Sequence, residues 1–469
     1  MSGAATLEHP RDFGALLKGP LGRLVARPWL DQVTIGFLAS SWLPMSRVWA
    51  AAILADGDKG VFLDNVEARR GAVRPGGLLM GRLRATASAA RALAAAEADW
   101  AEELFGTVQD ADDRASARAA EVEATRWSLA HNLTMHRLWY AWIASRHGIE
   151  PCRWAIPDRE RMLDELGFIL REPEAAFPWR ESGPVVASNS LRSSLGREFW
   201  LRVPATPGIG GLGRQPSTAR VFVPEGFRDG PTVILLHGIC MELEQWRLPL
   251  RDVELLVRAG IRVVMPEGPW HGRRRPAGLY GGEPVVATAP RGAIDYFRAH
   301  GPEVGRLVQW CRQDAAGPVG VMGISLGSFV VQLVSTMSRN WPADSRPDAA
   351  FLVATAERID EIGMSGAFGR AFRLDRALAK AGWTTESLAE WGRASQGIGD
   401  PVMDRANIFA LLGSEDEVTP YAGGRALVER WRVPPENVTI RRQGHFSVAA
   451  GMMVDDAPTR AFVTRLFAL

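Results

Sequence analysis

Ser325 stands at the centre of Gly323-Ile324-Ser325-Leu326-Gly327, a G-x-S-x-G pattern. In a chain with 48 glycines the spacing alone decides little, so the flanking residues must decide. "PVGVM" before Gly323 reads as a short buried strand, and "SFVVQLVSTMS" after Gly327 reads as an apolar helix. A strand that turns sharply into a helix lifts a serine hydroxyl above the sheet and aims the helix N-terminus at it. Small residues two positions either side permit that turn. Such a serine is a candidate nucleophile if the chain also supplies a base, an acid and two N–H donors for a developing oxyanion. Leu326, directly after the serine, is the expected first donor.

Other residue types point to less chemistry. Cys152, Cys240 and Cys311 are scattered, with neither metal-ligand spacing nor a disulfide framework. That usage fits a reducing cytosol, so a cytoplasmic location is expected. His131, His136 and His147 lack acidic partners at ligand spacing and read as core or surface histidines. "GIGGLGR", from Gly208 to Arg214, lies in a Pro-flanked loop with no strand before it, so it is no dinucleotide fingerprint. No cofactor and no metal is expected. Lys+Arg is 55 against Asp+Glu 53, a net charge of +2, which gives no reason to expect a nucleic-acid partner. Only Lys18, Lys59 and Lys380 are lysines; the other basic residues are arginines.

The elements that must position Ser325 divide the chain into unlike halves. Of its 469 residues, 46% are hydrophobic, enough for a large core and more than one region. Residues 1–180 read as an N-terminal helical region. "GRLRATASAARALAAAEADWAEELFG" and "DRASARAAEVEATRWSLAHNLTMHRLWYAWIASRHG" are rich in strong helix formers. Leu129, Leu133, His136, Trp139, Tyr140 and Ile143 fall on one helical face. The N-terminal "MSGAATLEHPRDFGALLKGP" lacks the pattern of a signal peptide. The apolar stretch Val33 to Ala55 is interrupted by Pro44 and Arg47, so it reads as a helix pair packed on the main domain rather than a membrane span. Docking on a membrane surface and a homo-oligomer contact through these helices are secondary expectations.

Residues 181–469 read as an α/β domain. After a Pro- and Gly-rich stretch containing one strand, "REFWLRVP", short β-branched strands alternate with helices. The strands are "TARVFVP", "TVILLH", "IRVVM", "VGVM", "AAFLVATA", "NIFALLG" and "VTIRR"; the helices include "EQWRLPLRDVELLVRAG" and "GAIDYFRAHGPEVGRLVQWCRQDAA". Continuous apolar strands separated by helices imply a mostly parallel sheet covered on both faces, with its site at the carboxyl ends of the strands.

On such a sheet the Ser325 turn resembles the nucleophile elbow of the α/β-hydrolase superfamily. The resemblance spans roughly residues 217–469 and implies the chain order serine, acid, histidine. His445, in "VTIRRQGHFSV", is the one histidine beyond Ser325 and is the implied base. In "NIFALLGSEDEVTPY" the spacing of Gly413, Asp416 and Pro420 resembles the family's acid loop, which implies Asp416. Glu415, Glu417, Glu357 and Asp360 remain alternatives. His237-Gly238 resembles the family's HG turn, so Ile239 is the implied second oxyanion donor, with Cys240 as the alternative. The Cys240 thiol reads as a packing group. His271, in "VVMPEGPWHGRRRP", either shapes its loop or lines the pocket. Gly238, Cys240, Trp270 and His271 are the candidate substrate contacts. Arg273, Arg274 and Arg275 read as a solvated loop, or as a basic edge steering an anionic substrate.

The resemblance also implies that residues 357–405 form a helical lid, with Phe368, Phe372, Leu374, Trp383 and Trp391 on its underside. "EQWR", "PEGPWHGRRRP" and "MGISLGS" are similar to the branch grouped with α/β-hydrolase domain-containing protein eighteen, which adds a lean towards lipid-like esters. The implied activity is a serine carboxyl-ester hydrolase acting on a small or lipid-like ester through Ser325, His445 and Asp416. An acyltransferase or thioesterase on the same residues, and a non-catalytic scaffold, are the alternatives.

Overall fold

The computed structural model describes residues 22, 26–74, 76–106, 113–180, 182–206, 209, 215–240, 249–395 and 399–469. The "EQWR" tetrapeptide, "GIGGLGR" from Ile209 excepted, and the first 21 residues lie outside them.

The strands are β1 (Val186–Ala187), β2 (Leu191–Ser193), β3 (Gly196–Val203), β4 (Ser217–Val223), β5 (Thr232–Leu236), β6 (Arg262–Pro266), β7 (Val319–Ile324), β8 (Ala349–Val353), β9 (Ile408–Gly413) and β10 (Val438–Arg441). They form one sheet in the order β1-β3-β4-β6-β5-β7-β8-β9-β10, with β2 beside β3. From β6 to β10 neighbouring strands are parallel; β4 joins β6 antiparallel, and β3 joins β4 antiparallel. The parallel strands read as unbroken apolar runs because both faces are covered. Ile234 and Leu236 enter one core cluster while Val233 and Leu235 enter another, as the two-residue repeat of a strand requires. The helix Arg291–Asp314 and the helix after Ser325 pack on the first face; helices Pro249–Arg258 and Ala457–Phe467 supply Leu256 and Phe462 to the second.

The N-terminal elements begin with α1 (Pro28–Phe37) and α2 (Leu43–Ala55), joined by a π-turn over Leu38–Trp42. Pro44 has no N–H to give the preceding turn, and the wider turn closes with the Leu43 N–H on the Leu38 carbonyl. Pro28–Ala55 is the single helix among the described residues long and apolar enough to cross a membrane, and 61% of its apolar window is buried in the fold. Arg47 illustrates the burial: its guanidinium meets Glu283 at 3.1 Å with both side chains nearly inaccessible.

Two long helices follow, α3 (Gly77–Phe105) and α4 (Asp113–Met135). Trp100 of α3 packs edge-on to Trp200 of β3 at 5.4 Å, so α3 covers the antiparallel edge of the sheet. The long helical pattern does not continue unbroken to Gly148. It breaks into a 3-10 turn, His136–Tyr140, where His136 stacks on Trp139 at 3.7 Å, before a last short helix. Leu133, His136, Tyr140 and Ile143 are buried together, as the helical spacing anticipates. The edge strands β1 and β2 went unread because two or three residues carry no periodic signal.

Candidate active site

β7 ends in Ile324 and α5 (Leu326–Met337) begins one residue after Ser325. Ser325 itself holds φ 56° and ψ −119°, a conformation that L-residues adopt only under constraint. The constraint is visible. Its N–H bonds the Val353 carbonyl at 3.0 Å, and its carbonyl accepts from Ser328 N–H at 2.9 Å and Ser328 Oγ at 2.6 Å. The two glycines are required by space: a Cβ on Gly323 would stand 2.3 Å from the Gly327 carbonyl, and one on Gly327 would stand 2.4 Å from that of Leu236.

His445 opens α6 (His445–Met452), directly after β10 and its loop. Its Nε2 lies 2.9 Å from Ser325 Oγ, and its Nδ1 lies 2.9 Å from Asp416 Oδ2. Asp416, in the loop after β9, is held by its other oxygen, which accepts from the N–H groups of Val418 and Thr419 at 2.9 Å each. Asp416 and His445 are buried, 5% and 6% exposed, while Ser325 is half-buried at the open end. With Nδ1–H donated to the carboxylate, Nε2 is left as an acceptor for the serine proton, which is the arrangement a base needs. Thr419 was not anticipated. Its hydroxyl donates to Asp416 Oδ2 at 2.7 Å and stands 3.1 Å from His445 Nδ1. A threonine three residues after an aspartate and just before Pro420 is the local signal that could have found it.

The competing acids are engaged elsewhere. Glu357 pairs with Arg430 at 2.8 Å, Asp360 with Arg358 at 3.0 Å, Glu415 with Arg442 at 3.0 Å and Glu417 with Arg370 at 3.5 Å.

Ile239 follows the His237-Gly238 turn beyond β5 and faces Ser325 across two cavities that share both residues. The Cys240 N–H is taken by His271 Nε2 at 3.2 Å, so Cys240 is not the second oxyanion donor. His271 Nδ1 in turn donates to the Pro269 carbonyl at 2.8 Å. His237 works the same way, donating from Nδ1 to the Gly238 carbonyl at 2.8 Å and accepting the Gly268 N–H at 3.0 Å. Burial keeps both rings neutral: it pushes His237 down to about 4 and His271 well below the ordinary histidine range. Neutral rings can accept, and so the two histidines lock the loop that carries Ile239. This corrects the expected substrate contact at His271 and Trp270. They are 1% and 5% exposed and lie beneath the loop, outside the walls of both cavities; Gly238 and Cys240 do line the larger one.

The arginine run beside them is neither solvated nor free to steer an anion. Arg274 makes two 2.9 Å bonds to Glu303, with both side chains buried. Arg273 bonds Glu267 at 2.9 Å and stacks over Trp100 at 4.3 Å, and Arg275 lies over Trp49 at 4.5 Å. Arg274→Met leaves Glu303 buried without its main partner, so urea unfolding should show a loss of about 3–5 kcal/mol. A change within experimental error would mean that this pair contributes nothing beyond packing.

The smaller cavity, about 90 Å3, runs from Ser325 and Leu326 to Phe368, Leu374 and Trp391. The larger, about 340 Å3, is bounded by Leu38, Leu43, Phe372, His445 and Met453. Residues 357–405 supply helices Asp360–Met364, Ala367–Phe372, Leu374–Lys380 and Thr385–Ser395 over this end of the sheet. Trp383 is the exception among the expected underside residues: it points away and donates its Nε1–H to the Pro157 carbonyl at 2.8 Å. Among the described residues no group of three His, Cys, Asp or Glu side chains could hold a metal ion.

Residues 214–347 match the family model described as alpha/beta hydrolase domain containing 18. The matched span holds β4 to β7 and Ser325 but ends before Asp416 and His445. No curated protein matches the chain at a significant level. Among solved structures, a cold-adapted esterase from an Arctic intertidal metagenomic library is 15% identical, covering 58% of this chain and 95% of its own, with a TM-score of 0.37. Acetyl xylan esterase 1 from Thermoanaerobacterium sp. JW/SL YS485 is 16% identical over 67% of this chain and 96% of its own, TM-score 0.41. Brefeldin A esterase, a bacterial homologue of human hormone sensitive lipase, is 16% identical over 65% and 85%, TM-score 0.38. Likeness at this level says nothing about substrate. The family match and the strand order agree on the fold: the chain carries an α/β-hydrolase domain, similar over residues 214–347 to the alpha/beta hydrolase domain containing 18 family.

Proposed function

We propose that this chain is a serine hydrolase of carboxylic esters. The observation that carries the reading is the run of two 2.9 Å contacts from Asp416 through His445 to Ser325, at a point where two apolar cavities meet. Ser325 Oγ attacks the ester carbonyl while His445 Nε2 takes its proton. Asp416 holds the ring's orientation and stabilises the imidazolium that results. The carbonyl oxygen becomes an oxyanion, met by the N–H groups of Leu326 and Ile239. His445 returns the proton to the departing alcohol, leaving an acyl-serine. Water then adds to that acyl group, again losing its proton to His445, and the acid leaves as Ser325 recovers its hydrogen.

An ester has a substituent on each side of its carbonyl, and the site offers an apolar space on each side of Ser325. Among the described residues near the site, Arg273 and Arg274 are already paired with Glu267 and Glu303, and Arg275 lies over Trp49. This favours esters with apolar acyl and alcohol parts over small polar ones. With p-nitrophenyl esters, kcat/KM is expected to rise from acetyl to medium-chain acyl groups and to fall again at palmitoyl, which outgrows the cavities. Turnover by wild type but not by Ser325→Ala would establish the chemistry. No ester turnover from folded protein would sink the reading and turn attention to thioesters or to acyl transfer, in which an alcohol replaces the water.

A further inference from the structure

His445 is the first residue of α6, so the position of its ring depends on how the first turn of that helix is held. The free N–H groups of a helix start need acceptors. One is local: Ser447 Oγ accepts the Gly444 N–H at 2.7 Å. Two more, those of Phe446 and Ser447, are met by Asp31 of α1, 415 residues away in sequence from Phe446. Asp31 Oδ1 accepts from the N–H groups of Phe446 at 2.5 Å and Ser447 at 3.4 Å, and Oδ2 accepts from the Ser447 hydroxyl at 2.6 Å. Asp31 is 7% exposed, although it sits on a helix whose Trp29, Val33 and Phe37 are exposed. The fit is close: a Cβ on Gly444, the residue before His445, would lie 2.5 Å from the Asp31 carboxyl carbon.

Burying a carboxylate is unfavourable unless its oxygens are satisfied. Here burial raises the Asp31 pKa, while Ser447, Phe446 and the adjacent His445 pull it back. The site that satisfies it lies at the positive end of α6. Ser325 and Asp416 hold the His445 ring; Asp31 holds the N–H groups of the two residues that follow it, Phe446 and Ser447.

Resting on the hydrolase reading, we propose that Asp31 is a positioning residue for His445, by which the N-terminal helix fixes the first turn of α6 and keeps the imidazole on Ser325. The N-terminal region is then part of the active machinery and not an appendage to it. Displacement of a reacting group by an ångström costs about 100-fold in rate, and removing the carboxylate frees that turn to move.

The test uses the full chain with Asp31→Ala, Asp31→Asn and, as a control on the exposed face of the same helix, Gln32→Ala. Two quantities are read: kcat and KM on p-nitrophenyl butyrate, and hydrogen exchange at the amides of Phe446 and Ser447. Asp31→Ala is expected to lower kcat by about 10- to 100-fold with little change in KM, and to speed exchange at those two amides. Asp31→Asn keeps an acceptor oxygen and should recover much of both losses; Gln32→Ala should match wild type. A loss confined to KM would mean that α1 only walls the cavity, and would overturn the proposal. Unchanged kcat with faster exchange would overturn it too, leaving Asp31 a structural cap. Should Asp31→Ala fail to fold, Asp31→Leu, which fills the same space without an acceptor, decides: wild-type kcat and wild-type exchange in that variant reject the role. If wild type shows no Ser325-dependent turnover, the hydrolase reading fails on its own, and the exchange comparison still shows whether Asp31 holds the turn.

Discussion

Ser325→Ala and His445→Ala should each lower kcat on an activated ester by about 10,000- to 1,000,000-fold, with the double variant hardly worse than either single one. The two groups act as a unit. Without the hydroxyl there is no acyl-enzyme, and without the imidazole the hydroxyl keeps its proton. KM should move little, because an apolar substrate is held by cavity walls that neither substitution alters, such as Phe368 and Trp391. The fold should survive as well. Ser325 owes its φ of 56° to backbone bonds with Val353 and Ser328, which alanine keeps. Steady-state kinetics beside thermal unfolding separates these outcomes. Ser325→Ala with hydrolysis within tenfold of wild type, in folded protein, would remove the serine from the mechanism.

Much of the sheet was legible because its parallel strands are buried on both faces. "TVILLH", "VGVM" and "NIFALLG" are short, apolar and β-branched, and they become β5, β7 and β9 with ends shifted by a residue or two. The turn at Ser325 was legible for a local reason: Gly323 and Gly327 are the only residue type that leaves room for the crossing backbone. His445 was reachable only through a family's chain order, and Asp416 through the likeness of its loop to that family's acid loop, since nothing in their own neighbourhoods names the partner each one meets.

What stayed hidden depends on contacts between distant segments. Asp31 and the first turn of α6 are separated by most of the chain, and a lone aspartate in an apolar helix reads locally as a solvated group. The arginine run at 273–275 misled for the same reason. Three consecutive charges look like a wet rim, yet Arg273 and Arg275 lie on Trp100 and Trp49 of the N-terminal helices, and Arg274 is buried on Glu303. His271 was ambiguous in sequence because a buried ring and a pocket wall need the same residue. The Cys240 N–H that it accepts shows which role it fills. Except for Glu303, which lies in the helix Arg291–Asp314, the N-terminal region or the loop under the site supplied the missing neighbour, so the same contacts that obscured the site in sequence are the ones that hold it together.

Asp416→Asn is the sharper test of the acid, and it should cost about 10,000-fold in kcat while leaving the fold intact. The direction follows from which atoms are already committed. Asp416 Oδ1 accepts two backbone N–H groups, from Val418 and Thr419, so an asparagine at this position keeps its carbonyl oxygen there. Its NH2 then replaces Oδ2, the atom that faces His445 Nδ1 at 2.9 Å. Two donors cannot bond each other, so the ring must give up its Nδ1 proton and carry one on Nε2 instead. Nε2–H cannot take the proton of Ser325, and the base is lost without any displacement of the ring. The Thr419 hydroxyl, now facing an NH2 group, can turn to accept, which keeps the corner hydrogen-bonded and the protein folded. Glu357→Gln and Asp360→Asn should by contrast be mild, because those carboxylates face Arg430 and Arg358 and not the imidazole. A mild Asp416→Asn beside a severe Asp360→Asn would transfer the acid to the loop after β8, and would require His445 to turn away from the partner it has here.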